Sequence, residues 1–353
     1  MTAAIIPQVR IAGIASAVPE NVRTLADDAQ IFGQQEIDRI SQNIGVQQRH
    51  VVASEKTCAS DLCFAAATRL LDDLGWERDS IEALIFVTQT PDQFMPATAC
   101  SLQHRLGLSK RCASFDVNQS CAGYIYGLWI AASLTRGCKR VLLLVGDTIS
   151  RVVSPQDRTV TSLFGDAGTA TALEHDESAQ PIAFELGSDG SGATCLAVPA
   201  GAFRVPSSPA TRERTERDGG NVRADADLFM DGAEVFTFAL REAPGMIQRT
   251  LVTAGREAAE IDAFVLHQAN RFMIQQLTKR LRVPPEKAPL SLTQYGNTSS
   301  ASIPLAITTE LRDKISSGEQ RLLLAGFGAG FAWGGAVLSI GPCCLPPLVL
   351  LAE

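Results

Sequence analysis

No two of the nine cysteines (58, 63, 100, 112, 121, 138, 195, 343 and 344) stand in C-x-x-C spacing. An odd number without paired spacing, lying mostly in apolar stretches, argues against a disulfide framework or a zinc site and reads as reduced thiols of a cytoplasmic protein. Positive charge is not in excess either: 31 Lys and Arg against 38 Asp and Glu leave a net charge of −7. General nucleic-acid binding is disfavoured, although a local basic patch for an anionic ligand stays available. The opening Met1-Thr-Ala-Ala-Ile-Ile-Pro7 lacks the basic region and long apolar core of a secretory signal. The longest apolar runs, Leu345 to Ala352 with its two prolines among them, fall short of a membrane span. What is present is 46% hydrophobic and 20% charged residues, with 28 Gly and 17 Pro, over 353 residues. That composition predicts a folded α/β chain of one large domain or two moderate ones.

Short apolar strands alternate with longer amphipathic helices, a pattern that predicts a largely parallel sheet covered by helices. The two halves repeat each other. Leu71-x3-Gly75-x5-Ile81 and the run Glu82 to Val87 recur as Leu251-x3-Gly255-x5-Ile261 and Asp262 to Leu266, an offset of 180 residues. Leu142-Leu-Leu-Val-Gly146 recurs as Leu322-Leu-Leu-Ala-Gly326 at the same offset. Between them, Asn118 to Ala122 falls close to the place of Asn297 to Ala301. Several matches in one order predict two α/β halves about a pseudo-dyad, 1–176 and 177–342, with a site where their strand ends converge. Residues 200–227, with five arginines and Gly219-Gly220, read as a surface loop, either a gate or a tolerated insertion. The apolar tail 343–353 suits either an interface or the cover of one edge.

Three segments hold residues that packing alone would not request. Cys121 follows an apolar strand and a small-residue turn, near the start of a helical run; a helix N-terminus lowers a thiol pKa, although an inert buried cysteine fits the same pattern. His267, one of only four histidines, ends the apolar run Phe264-Val-Leu, where a group reaching a shared cleft or a helix cap would stand. Asn297 sits in a tight turn before a small-residue helix, in the usual place of a cap.

Cys121-Ala-Gly, His267-Gln-Ala-Asn, Gly296-Asn297-Thr-Ser, Phe164-Gly-Asp-Ala-Gly and Gly326-Phe-Gly-Ala-Gly-Phe-Ala-Trp333-Gly closely resemble β-ketoacyl-acyl-carrier-protein synthase III, in order and in spacing. The likeness runs from about residue 8 to residue 341. It implies the thiolase fold, two similar halves in a five-layered αβαβα sandwich, and a Cys-His-Asn triad at Cys121, His267 and Asn297. In such an enzyme Cys121 takes an acyl group from an acyl-CoA or acyl-carrier-protein thioester. The backbone N–H groups of Cys121 and Ala329 hold the oxyanion. His267 and Asn297 donate hydrogen bonds as malonyl-carrier protein loses CO2, and the carbanion attacks the acyl-cysteine to give a 3-ketoacyl product. The resemblance implies no metal or redox cofactor, a homodimer, and neither nucleic acid nor membrane as partner. Phe164 matches an aromatic residue near the family's active site.

Substrate handling departs from the family pattern. Where a tryptophan usually stacks on the adenine of coenzyme A, the chain reads Ile37-Asp-Arg39-Ile; the arginine expected on the other face is present as Arg158. Ala233 and Thr237 replace a common asparagine and lysine, and Phe272 follows Arg271 where a carrier-protein arginine is frequent. Arg271, Gln275, Lys279 and Arg282 fall on one helical face, a basic stripe suited to an acidic carrier protein or to coenzyme A phosphates, or simply a solvated face. Phe94-Met95-Pro96 matches the segment that caps the partner's acyl pocket in this family, with Met95 at a frequent aromatic position. Two other readings stand beside the condensing enzyme: an acyltransferase that passes the acyl group to an alcohol or amine with His267 as base, and a non-catalytic partner subunit. The segment from 322 to 341 holds no second cysteine, which argues against thiolysis.

Overall fold

The computed structural model describes residues 2–353. Two sheets form the frame. The first has six strands in the order Val349–Leu351, Val9–Pro19, Ala167–His175, Arg140–Asp147, Ala83–Val87, Ala113–Val117. The second has five, in the order Thr2–Ile6, Ile182–Ser188, Ala332–Ile340, Gln320–Gly328, Ala263–Leu266. Four strands of one match four of the other in the same spatial order, and the matching helices Ala59–Leu74 and Gly232–Ala254 both stop at a left-handed glycine, Gly75 (φ 62°) and Gly255 (φ 61°).

Because both faces of each sheet are covered, the inner strands are mostly apolar. Alternate residues face opposite ways. Leu84, Phe86, Leu142 and Leu144 pack outward with helix Ala59–Leu74, while Ile85, Val87, Leu143 and Val145 pack inward. In the second sheet Phe264, Leu266 and Leu323 pack outward with helix Gly232–Ala254, while Val265, Leu322 and Leu324 face inward. The inward sets meet around helices Gly123–Leu134 and Ser302–Glu310, whose Tyr124, Ile125, Leu128, Ile303 and Ile307 are buried. Helix, sheet, helix, sheet and helix give the five layers of the thiolase fold.

The sheets are mixed rather than largely parallel. Arg140–Asp147 pairs parallel with Ala83–Val87 but antiparallel with Ala167–His175, and Gln320–Gly328 runs antiparallel to Ala332–Ile340. The latter pair is joined by residues 329–331 alone, so no crossover helix intervenes to make it parallel. The termini exchange halves: Thr2–Ile6 extends the second sheet and Val349–Leu351 the first. The tail thus covers a sheet edge. Among the described residues no helix is long and apolar enough to cross a membrane.

Candidate active site

Strand Ala113–Val117 delivers a turn, and Cys121 lies two residues ahead of helix Gly123–Leu134, 5% exposed. Its Sγ faces its own backbone N–H and lies 4.0 Å from Oγ of Ser299. The lowered thiol pKa expected of a helix N-terminus is not found. Burial pushes Cys121 up to about 12; the Ser299 hydroxyl works against the rise and the Asp147 carboxylate adds to it. Desolvation is the largest of these effects, and it favours the thiol.

His267 directly follows strand Ala263–Leu266 and is 2% exposed. It is not the helix cap: Asn270 caps Arg271–Leu281, its side chain accepting from Met273 N–H at 2.7 Å. Burial holds the imidazole down to about 3, so it is neutral. Nδ1 lies 2.7 Å from Oγ of Ser302, and that oxygen also accepts the Gln268 N–H at 3.4 Å. The hydroxyl can donate to Nδ1, and in that tautomer the imidazole N–H stands at Nε2.

Asn297 is oriented by the same logic. Its Oδ1 accepts the Ser299 N–H at 2.9 Å, which fixes the amide and turns Nδ2 the other way, where its protein contact is the Ala269 carbonyl at 3.5 Å. Its backbone is tied to Leu163 and Gly165 on either side of Phe164. Across the site, the loop carrying Ala329 is clamped by Phe331 and Asp189, which exchange backbone hydrogen bonds of 2.7 and 2.8 Å. Among the described residues neither the Cys121 nor the Ala329 N–H donates to a backbone carbonyl, and the Cys121 N–H faces its own Sγ. Gly328 lets this loop approach: a Cβ there would lie 2.7 Å from Cβ and 3.1 Å from Sγ of Cys121.

Cys121, Phe164, His267 and Asn297 line one cavity of about 300 Å³, otherwise walled mostly by apolar side chains including Met230, Phe236 and Phe327. Asp147, at the end of strand Arg140–Asp147, locks the halves together behind it, accepting from Thr88 Oγ1 (3.1 Å), Gln89 N–H (2.7 Å) and both N–H (3.3 Å) and hydroxyl (2.5 Å) of Ser300. Ser302 and Asp147 were not singled out from the sequence. A carboxylate ending the apolar run Leu142 to Gly146 is the signal that points to Asp147, just as imidazole after Phe264-Val-Leu points to His267.

Residues 115–190 match the profile for 3-oxoacyl-(acyl-carrier-protein) synthase III, and residues 251–340 that for its C-terminal part. A β-ketoacyl-(acyl-carrier-protein) synthase III of Xanthomonas campestris is 36% identical over 331 residues, 93% of this chain and 97% of that one. The chain belongs to the synthase III family. It is an acyltransferase of the condensing class. The crystal structure of a 3-oxoacyl-(acyl-carrier-protein) synthase from Burkholderia xenovorans superposes with a TM-score of 0.93 at 43% identity, covering 99% of both chains. The priming β-ketosynthase of the R1128 polyketide pathway superposes at 0.79 with 26% identity, covering 96% of this chain and 98% of that one.

Around this synthase III cavity the outer residues fall into different places. Arg271 does not join a basic stripe: its side chain folds back against Gly45, donating to that residue's carbonyl at 3.0 Å and to Thr293 at 3.4 Å. Gln275, Lys279 and Arg282 are exposed. Phe272 stacks on Phe236 at the cavity wall, with centroids 5.5 Å apart and 17° between planes. Arg39 and Arg158 both approach Glu36. Met95 is 80% exposed and lies outside its own chain's cavity. Residues 200–227 pack over 152–158, through Ser154 to Val222 and Arg223 to Asp157, and do not line the cavity; Leu196 and Met230, just outside that stretch, do.

Proposed function

We propose that Cys121 accepts an acyl group from a thioester donor and that His267 and Asn297 drive the decarboxylative condensation of malonyl-carrier protein onto it. The observation carrying this reading is the paired orientation of the two donors: Ser302 holds Nδ1 of His267 and the Ser299 N–H holds Oδ1 of Asn297, which leaves the N–H of each available to a ligand beside Cys121.

In the first half-reaction the Cys121 sulfur attacks the thioester carbonyl. The developing oxyanion takes hydrogen bonds from the Cys121 and Ala329 N–H groups. The C–S bond of the donor breaks, and the pantetheine thiol leaves with the proton that Cys121 gave up. In the second, the malonyl thioester oxygen accepts hydrogen bonds from Nε2 of His267 and Nδ2 of Asn297. As CO2 departs, its bonding electrons move toward that oxygen, and two neutral donors stabilise the enolate without a base. Carbon 2 then attacks the acyl carbon, the tetrahedral intermediate collapses, and Cys121 regains a proton as the 3-ketoacyl thioester leaves. Phe164, packed against Asn297, keeps water from the carboxylate that is lost. The overall scheme takes up one proton from solvent, the one that returns to Cys121, and contains no redox step.

An imidazole with its proton on Nε2 cannot also accept one there, which counts against His267 as the base of an alcohol or amine acyltransferase. The family resemblance supports a second copy of the chain as partner, with the exposed Phe94 and Met95 directed to its acyl pocket.

Intact-mass spectrometry of wild type and Cys121→Ala, after exposure to acyl thioesters and then malonyl-carrier protein, tests the scheme. An adduct on wild type alone, discharged with CO2 release into a 3-ketoacyl thioester, is the expected result. An acyl-Cys121 that malonyl-carrier protein leaves loaded contradicts it.

A further inference from the structure

Phe164 walls two cavities. One is the reaction cavity; the other, of about 240 Å³, is lined also by Arg23, Arg49, Ser150, Thr161 and the apolar Val51 and Val153. A short ribbon brings its two arginines together. Strand Val22–Thr24 pairs antiparallel with strand Gln48–His50, and Arg23 stands directly opposite Arg49. Like charges in that register repel each other. A single carboxylate answers both: Asp28, on the following helix Leu25–Phe32, accepts from Nε of Arg23 at 2.8 Å and from Nη2 of Arg49 at 2.9 Å.

That arrangement leaves one positive charge and several donors unanswered. The Arg49 side chain is 1% exposed, yet its Nη1 has no acceptor. Among the described residues neither Nη of Arg23 has a protein acceptor either. A buried donor left unpaired bears the full desolvation of its group, so such donors are ordinarily met. The other polar groups around the cavity are engaged. The Ser150 hydroxyl, the Ser150 N–H (3.0 Å) and the Val52 N–H (2.9 Å) all donate to Asp166. The Thr161 hydroxyl stands 2.7 and 2.6 Å from the carbonyls of Ser154 and Asp157. Of the nearby carboxylates, Asp166 is held by its three donors, and exposed Asp27 takes the Thr24 N–H at 2.7 Å. The cavity thus offers donors and positive charge. Water would satisfy the donors but not the charge, whereas a carboxylate answers both with two oxygens side by side.

We infer that this second cavity is a binding site for a small carboxylate-class monoanion, its oxygens held by the unpaired guanidinium nitrogens of Arg23 and Arg49. Two sources present that chemistry. Bicarbonate is the hydrated form of the CO2 that the condensation proposed above releases in the neighbouring cavity, and only this choice of guest rests on that reading. A free short-chain acid would add an alkyl group to lie against Val51 and Val153. The site stands apart from the triad, since Cys121, His267 and Asn297 do not line it, and it fills without turnover.

The test is titration of the full chain, without acyl donor or malonyl-carrier protein, with carbon-labelled bicarbonate, acetate and butyrate, read by ligand-observed NMR at constant ionic strength in chloride. Wild type is expected to bind at least one of them saturably, with a dissociation constant in about the millimolar range. Arg23→Gln weakens that binding about tenfold, the worth of one hydrogen bond to a charged group. Val153→Phe, which fills the cavity and keeps both charges, weakens it as much, and carries the test alone if Arg23→Gln does not fold by circular dichroism. Tighter binding of bicarbonate than of butyrate supports the reaction's product as the guest; the reverse order supports a free acid. Binding that never saturates, or that both folded variants leave unchanged, overturns the inference. Because no turnover is involved, that negative result leaves the condensing scheme standing, and a failure of the scheme leaves the titration to decide the anion site.

Discussion

Ser302 and His267 come from opposite ends of a 35-residue separation, yet the serine hydroxyl sits 2.7 Å from Nδ1 of the imidazole. The Gln268 N–H donates to the same oxygen, and when the hydroxyl donates to Nδ1 the ring proton sits on Nε2. Ser302 is therefore a positioning residue for decarboxylation and has no part in acylation. Ser302→Ala is expected to slow condensation about tenfold, the worth of one buried hydrogen bond, while acyl-Cys121 forms at the wild-type rate. Ser302→Thr, which keeps the hydroxyl, restores most of the loss. Nitrogen NMR of the His267 ring would show a mixed tautomer in the alanine variant and Nε2–H alone in wild type.

The two half-reactions should respond differently to pH. With Cys121 raised to about 12, the thiolate fraction grows about tenfold for each unit between pH 6 and pH 9, and acylation should rise with it. With His267 lowered to about 3, the imidazole is neutral across that whole range, and malonyl decarboxylation should be flat. Rapid-quench measurement of each half-reaction separates them. A decarboxylation rate that inflects near the ordinary histidine pKa of about 6.5 would show that the ring is not buried in the working enzyme.

Gly328 is a packing requirement of the nucleophile. A methyl group there would crowd Cβ and Sγ of Cys121 at 2.7 and 3.1 Å. Gly328→Ala should cost about 1–3 kcal/mol in stability, the usual range for overpacking, and slow the alkylation of Cys121 by iodoacetamide. Alkylation at the wild-type rate would mean that the loop withdraws freely.

Asp147 plays two opposing parts. It accepts four hydrogen bonds, two of them from Ser300 of the other half, and its charge helps keep the Cys121 thiol protonated. Asp147→Ala leaves the buried N–H and hydroxyl of Ser300 without an acceptor, at about 1–3 kcal/mol each. Thermal unfolding should move to lower temperature, while Cys121 alkylation at a fixed pH becomes faster as the like charge is removed. Slower alkylation would contradict the electrostatic part of the account.

Much of the architecture can be read from the chain because its signals are local. The offset of 180 residues finds strands Ala83–Val87 and Ala263–Leu266, and Arg140–Asp147 and Gln320–Gly328, since the segments between them are equal in length. The returning strands Ala167–His175 and Ala332–Ile340 escape it because one follows a long loop and the other a short turn, and with them goes the antiparallel character of the sheets. Cys121, His267 and Asn297 are legible as polar residues at the edges of apolar runs. Their supports are not. Ser302 reaches His267, and Asp147 reaches Ser300 across 153 residues, only through the packing of one half on the other. Arg271 misleads for the same reason: helical spacing places it beside Lys279, but Gly45 of a distant helix end leaves room for its side chain to turn inward.

The division of labour in the cavity is tested most directly by following malonyl-carrier protein and Cys121 acylation separately in three variants. Cys121→Ala is expected to release CO2 from malonyl-carrier protein without forming any acyl adduct. His267→Ala and Asn297→Ala are expected to form acyl-Cys121 but to lower CO2 release by at least about a hundredfold, the loss of one donor aimed at a developing oxyanion. Undiminished CO2 release in either of the latter two would contradict the assignment of decarboxylation to His267 and Asn297.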